Sequence, residues 1–218
     1  MGSSTGEHRR LPTRWLLVSL ALVAVGLACL VAGLQSHRVA LSAPVATPPR
    51  HTSSVGTARS GILARSLPIS LSVPAIGLSD VPLGELGLNL DGTVQVPTNV
   101  QVAGWYRLGP APGQLGSAVI LGHVDSHEGP AVFFNLRLLV PGDMVEVALA
   151  NGTTASFRVS TVAMYDKATF PSKLVYGPHG DAELQLVTCG GTFDPSTGSY
   201  LSNVVVYSSL SGVTRGVG

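Results

Sequence analysis

The stretch Gly142–Tyr165, "GDMVEVALANGTTASFRVSTVAMY", decides the fold class. Two runs rich in Val, Thr and Ala flank Asn151-Gly152, the dipeptide that most favours a tight reversal because both residues tolerate positive φ. The flanking runs read as strands because they are rich in such residues and bounded by turn formers. Working outward, "LPISLSVPAIG" (67–77), "GTVQVP" (92–97), "GSAVILGH" (116–123), "AELQLVTC" (182–189) and "NVVVYSS" (203–209) read as further strands. Each is short, apolar and bounded by Gly, Pro, Asp or Asn. Helical periodicity is almost absent; "AVFFNLRLL" (131–139) is the one segment read as a short helix. Regularly spaced strands with turn signals predict a mainly β domain, a barrel in preference to a sandwich.

The chain has 218 residues, 11% of them charged, with a net charge of +1 and a mean hydropathy of +0.37. That balance offers no basic surface for nucleic acid, so no nucleic-acid partner is expected. Much of the apolarity lies in Trp15–Leu34, an uncharged run of about the length of a transmembrane helix. Arg9, Arg10 and Arg14 precede it, and Arg38 and Arg50 follow more sparsely. The positive-inside rule then keeps residues 1–14 cytoplasmic and exports the remainder. A cleaved signal peptide would carry a shorter apolar core and a small-residue cleavage site. Lipidation at Cys29 would end the apolar run, which instead continues past it. The expected organisation is a cytoplasmic N-terminus (1–14), a transmembrane anchor (15–34), a Ser/Pro/Ala/Thr-rich flexible tether (35–65) and one domain (66–218).

Cys189 and Cys29 are the only cysteines, and Cys29 lies in the anchor, so Cys189 has no disulfide partner within the domain. It is either an inert buried thiol or a nucleophile. "LQLVTCGGTFD" (184–194) delivers the thiol after an apolar run, and Gly190 and Gly191 behind it crowd the sulfur with no side chain. His123 closes the apolar run "VILGH". A cysteine and a histidine at two strand ends make a candidate nucleophile and acid–base pair, since a histidine beside a thiol favours the thiolate. A single cysteine without a close histidine pair does not suit zinc, and no cofactor is expected.

"LGHVDSHEGPAVFFNLRLLVPGDMVEV" (121–147) followed by "LVTCGGTFDPSTGSYLSNVVVY" (186–207) resembles the sortases, most closely the actinobacterial class called E or F. "ISLSVPAIGL", "DGTVQVP" and "AGWY" fit the same class, and the resemblance covers Leu67 to Tyr207. It implies a closed β-barrel of about eight strands with short helices. It also implies a cysteine transpeptidase in which Cys189 attacks a sorting signal of the LPxTG kind and forms a thioacyl enzyme. His123 would protonate the leaving amine and deprotonate the incoming one. Partners would be proteins bearing sorting signals, a cell-wall precursor or pilin amine as acceptor, and the membrane through the N-terminal helix. The family's third site residue is an arginine at the start of the last strand; the matching position here is Asn203. Asn203, the backbone N–H groups of Gly190 and Gly191, and a swung-in Arg107 or Arg137 are the candidate stabilisers of the oxyanion.

Two other readings stay open at this level: a weak sortase-like hydrolase, with water replacing the amine, and a peptide-binding module without turnover. The segment "MYDKATFPSKLVYGPHG" (164–180), carrying Lys167, Phe170, Pro171 and Tyr176, is the expected selectivity loop.

Overall fold

A computed structural model describes residues 62–216. The expected cytoplasmic segment, the anchor Trp15–Leu34 and most of the tether lie outside them. No helix among the described residues is long and apolar enough to cross a membrane.

Eight strands close into a barrel: β1 (Pro68–Val73), β2 (Leu78–Leu86), β3 (Ala103–Tyr106), β4 (Gly116–Leu121), β7 (Met144–Leu149), β8 (Thr153–Asp166), β9 (Ala182–Asp194) and β10 (Ser199–Arg215). Their order around the wall is β1-β2-β3-β4-β9-β10-β8-β7, and β7 pairs with β1 to close the ring. A two-residue pair, β5 (Asp125–Ser126) and β6 (Gly129–Pro130), lies outside the wall. The one α-helix described, α1, is Ser172–Tyr176. The β7–β8 turn forms as Asn151-Gly152 requires. Gly152 adopts φ +76°, and the Asn151 side chain accepts a hydrogen bond from the Thr153 N–H at 3.1 Å.

Two apolar clusters sandwich the wall where β4, β9 and β10 meet. Ala118 and Ile120 of β4, Leu184 and Leu186 of β9, and Val206 of β10 point into the barrel beside Phe133 and Phe157. Val119, Leu121, Val187 and Val205 point outward and are covered by Val175 of α1, with Tyr106, Phe170 and Tyr176 around them. All six residues of β4 are therefore buried. Burying an aliphatic side chain contributes roughly 1.5–3 kcal/mol, so both faces of this strand resist any slip in register.

Some segments depart from the expectations. "GTVQVP" forms no ladder strand; Val94 makes only an isolated bridge to Leu88. The Asp91 carboxylate takes the Thr93 N–H in a local turn, and the Gln95 side chain, rather than its backbone, accepts the Gly87 N–H. "AVFFNLRLL" forms turns and a single 3-10 turn at Leu136–Leu138. Its first three N–H groups bond outward, Ala131 to Val124, Val132 to Val100 and Phe133 to His123, and those of Phe134, Leu136, Leu138 and Leu139 bond three residues back, as turns and a 3-10 turn do and an α-helix does not. At the N-terminal side, Leu63 and Arg65 dock on the barrel. The Leu63 N–H bonds Gly113 at 2.8 Å, and the Arg65 guanidinium lies 4.9 Å from the Trp105 ring centroid while donating to the Arg107 and Gly109 carbonyls.

Candidate active site

The parallel pairing of β4 with β9 matches Ile120 to Leu186 and Leu121 to Val187. One further bond, Gly122 N–H to the Val187 carbonyl at 3.1 Å, continues that register. Continued by two residues past the end of β4, that register would set His123 opposite Cys189. On the other side β10 pairs antiparallel with β9, and Asn203 is the cross-strand partner of Cys189. Side chains alternate along a strand. Cys189 follows Val187 by two on β9 and Asn203 precedes Val205 by two on β10, so both continue the outward-facing row, while His123 lies two residues past Leu121, beyond the end of β4. Cys189, Asn203 and His123 are each half-buried.

The histidine is held from several directions. Its carbonyl accepts the Phe133 N–H at 2.9 Å. Its Nε2 lies 2.8 Å from the Pro97 carbonyl oxygen. A carbonyl only accepts, so Nε2 carries the proton and donates it there. Nδ1 is the nitrogen left to exchange a proton elsewhere. Gly122 must be glycine at this point, because a Cβ there would stand 2.6 Å from Phe133 and 2.8 Å from Val132.

Cys189 does not end its strand, as the apolar run suggested; β9 continues to Asp194. What ends beside it is β4, and that opens one flank of the cysteine. Past the cysteine the β9–β10 ladder is irregular. Ser202 pairs with Gly190 and Tyr200 with Phe193, which leaves Gly191 and Thr192 opposite Leu201. Such a bulge bends the strand and re-aims its side chains. Gly191 takes φ +76° in it, and a Cβ on Gly190 would meet Val204 at 2.8 Å. The two glycines behind the thiol are thus required by the bulge and by close packing. Two cross-ties hold the β9–β10 turn over the site: the Tyr200 hydroxyl donates to the Asp125 carboxylate, and Lys167 Nζ donates to Ser199 Oγ at 2.9 Å. The first of these keeps the Tyr200 phenol above its ordinary range.

Three cavities meet at Cys189. One of about 610 Å³ is bordered by His123, Asp125, His127, Cys189, Phe193 and Tyr200. A groove of about 780 Å³ runs over Tyr106, Leu121, Lys167, Phe170, Tyr176 and Asn203 to the same cysteine, so the expected selectivity loop forms one of its walls. The third, about 360 Å³, contains Arg137, Phe134, Met164, Thr188, Gly190 and Gly191. Of the two arginines considered from sequence, Arg137 therefore borders the site. Arg107 lies against Gly87 and borders none of the three. Residues that sequence reasoning missed are Pro97, Asp125 and Tyr200. The Tyr200–Asp125 tie joins positions 75 apart in the chain, which no local pattern reveals.

The fold is similar to that of sortase A from Listeria monocytogenes (16% identity, covering 70% of this chain and 91% of that chain, TM-score 0.53). It is also similar to the SrtA sortase of Actinomyces oris (22%, 70% and 84%, 0.50) and to sortase C-1 of the same organism (19%, 65% and 72%, 0.52). No curated protein matches the sequence significantly. The family profile described as Sortase domain matches residues 71–211. The chain belongs to the sortase family.

The groove wall carries a measurable signature. Burial of the Tyr176 ring pushes its phenol up to about 12, with neighbouring Tyr106 adding to the effect; the two rings stack edge to face at 5.5 Å. The folded domain holds this proton more tightly than the unfolded chain, whose tyrosines ionise near ~10. The resulting stability is present below about pH 10 and is lost as pH rises from there to about 12. Tyr176→Phe removes that loss. In urea unfolding at about pH 8 and about pH 11.5, the alkaline drop should be smaller in the variant by roughly 2 kcal/mol. Equal drops would mean that the ring is solvated in the folded state.

Proposed function

We propose that this chain is a membrane-anchored cysteine transpeptidase of the actinobacterial class E or F kind, with Cys189 as nucleophile and His123 as acid and base. The observation that carries the reading is the cavity that Cys189 of β9 shares with His123, which lies just past the end of β4. The apolar groove ending at Cys189 has room for an extended peptide, and it supports a sorting signal of the LPxTG kind as substrate. The Cys189 thiolate attacks the scissile carbonyl carbon; a C–S bond forms and the C–N bond breaks. The leaving amine takes its proton from the His123 imidazolium. An acceptor amine, from a cell-wall precursor or a pilin, then attacks the thioester and gives its proton to His123. The new C–N bond forms as the C–S bond breaks, and the thiolate returns. The Asn203 amide, cross-strand from Cys189, donates to the oxyanion in both steps. It lends no charge, unlike an arginine.

Incubation with LPxTG-type peptides, followed by intact mass measurement, should give a thioacyl adduct that Cys189→Ala abolishes and His123→Ala slows severely. Asn203→Ala should slow acylation by about 10²-fold, the usual cost of removing one oxyanion donor. Release of the adduct by an added amine supports transpeptidation. Release by water alone, whatever the amine concentration, would make the protein a hydrolase, and absence of any adduct would leave a binding module.

Localisation follows from the sequence ahead of the domain. We propose that Trp15–Leu34 spans the membrane once and that the tether presents the catalytic domain outside a Gram-positive-type cell. Protease added to intact protoplasts should remove the domain. Full protection in sealed protoplasts would contradict an external site.

A further inference from the structure

We propose that Arg137 supplies the positive charge of the transition state at Cys189 from the 3-10 turn Leu136–Leu138, while Asn203 supplies only a neutral hydrogen bond from β10. The inference rests on the transpeptidase reading above. When a thiolate attacks a carbonyl, negative charge moves from sulfur to the carbonyl oxygen, and fixed donors or cations around that oxygen lower the barrier. Among the described residues, two cations border the cavities that meet at Cys189: Lys167 in the groove and Arg137 in the smallest of the three. Lys167 is already engaged with Ser199. Arg137 makes no hydrogen bond or ion pair with any described residue, and the one described ion pair joins His179 to Glu183.

The cavity beside Arg137 has a second unmet group. Thr188 is 4% exposed, and its hydroxyl has no hydrogen-bond partner. Thr188 immediately precedes the nucleophile and lines the same cavity as Arg137, Gly190 and Gly191. The Thr188 hydroxyl is itself shielded from solvent, whereas the exposed Arg137 guanidinium is free to meet an oxygen atom of a molecule bound in this cavity. Val124, Phe133, Phe134, Met164 and Val204 form its apolar walls, and Tyr200 adds a phenol already bonded to Asp125. Arg137 itself is exposed, so water screens part of its charge.

The mounting of Arg137 is rigid where it needs to be. Leu136 beside it and Phe133 before it are both fully buried. The Phe133 N–H bonds the His123 carbonyl, and the Leu136 N–H bonds the Phe133 carbonyl at 3.1 Å. One short segment thus ties the acid–base residue to the cation. Asn203 borders the groove and not this cavity, so amide and guanidinium approach Cys189 from different sides. A guanidinium stays protonated throughout the working pH range, and the arrangement divides between two residues what one arginine would otherwise do.

The test is single-turnover acylation of the full chain by a pool of LPxTG-type peptides with position x varied, quenched and read by intact mass. Arg137→Ala should slow formation of the Cys189 adduct by about 10²-fold with its melting temperature unchanged, because Arg137 is exposed. Arg137→Lys should recover part of the rate, and added guanidinium ion should raise the rate of Arg137→Ala. Arg107→Ala should acylate like the wild type. Two results overturn the inference while leaving the transpeptidase reading intact: an Arg137→Ala variant that acylates as fast as wild type, or one slowed only in release of the adduct to an amine. A wild type that forms no adduct overturns that reading, and the inference falls with it.

Discussion

The parallel pairing of β4 with β9 is the constraint on which the site depends. Parallel neighbours run in the same direction, so residues beyond the end of one strand emerge level with residues of the other. β4 stops at Leu121 while β9 continues, and the segment after β4 is therefore released beside Cys189. A slip of one residue would turn every β4 side chain to the opposite face. The two clusters forbid that slip, because Ile120 is packed inside the barrel and Leu121 outside it. The core thus does more than stabilise the domain. It sets which residue stands next to the thiol.

The rest of the site is built from interruptions of the barrel rather than from the barrel itself. The bulge at Gly191–Thr192 bends β9 just past the cysteine. The β9–β10 turn is then tied on one side to Asp125 in the His123 segment and on the other to Lys167 in the groove wall. Pro97 lies in a stretch that failed to become a strand, and its free carbonyl orients His123. Each of these places backbone or side-chain polar groups where a regular ladder would have consumed them.

The β7–β8 hairpin, the strands around Cys189 and His123, and the closed eight-stranded barrel were legible in the sequence, the last through the family resemblance. They were legible because each rests on a local signal: Asn151-Gly152, apolar runs of strand length, and glycines beside the two key residues. "GTVQVP" misled because period and composition cannot show that Gln95 spends its side chain on Gly87. "AVFFNLRLL" misled because its later N–H groups bond three residues back rather than four, while its first three are tied to Val124, Val100 and His123, partners that only the fold brings together. Arg107 and Arg137 could not be told apart in the sequence. Their difference lies in which cavity each borders, and that is set by long-range packing.

Disulfide trapping tests the pairing of Cys189 with His123 most directly. Neighbouring residues on adjacent strands have Cα atoms within the ~4.4–6.8 Å that a disulfide spans. In a Cys29→Ser background, His123→Cys should form a disulfide with Cys189 under mild oxidation, seen as loss of both thiols and mapped by peptide mass. A cysteine placed at His127, on the next loop, should oxidise far more slowly. If the cysteine at position 123 keeps its thiol free while the domain remains folded, the β4–β9 register does not bring the two positions together, and the account of the site fails.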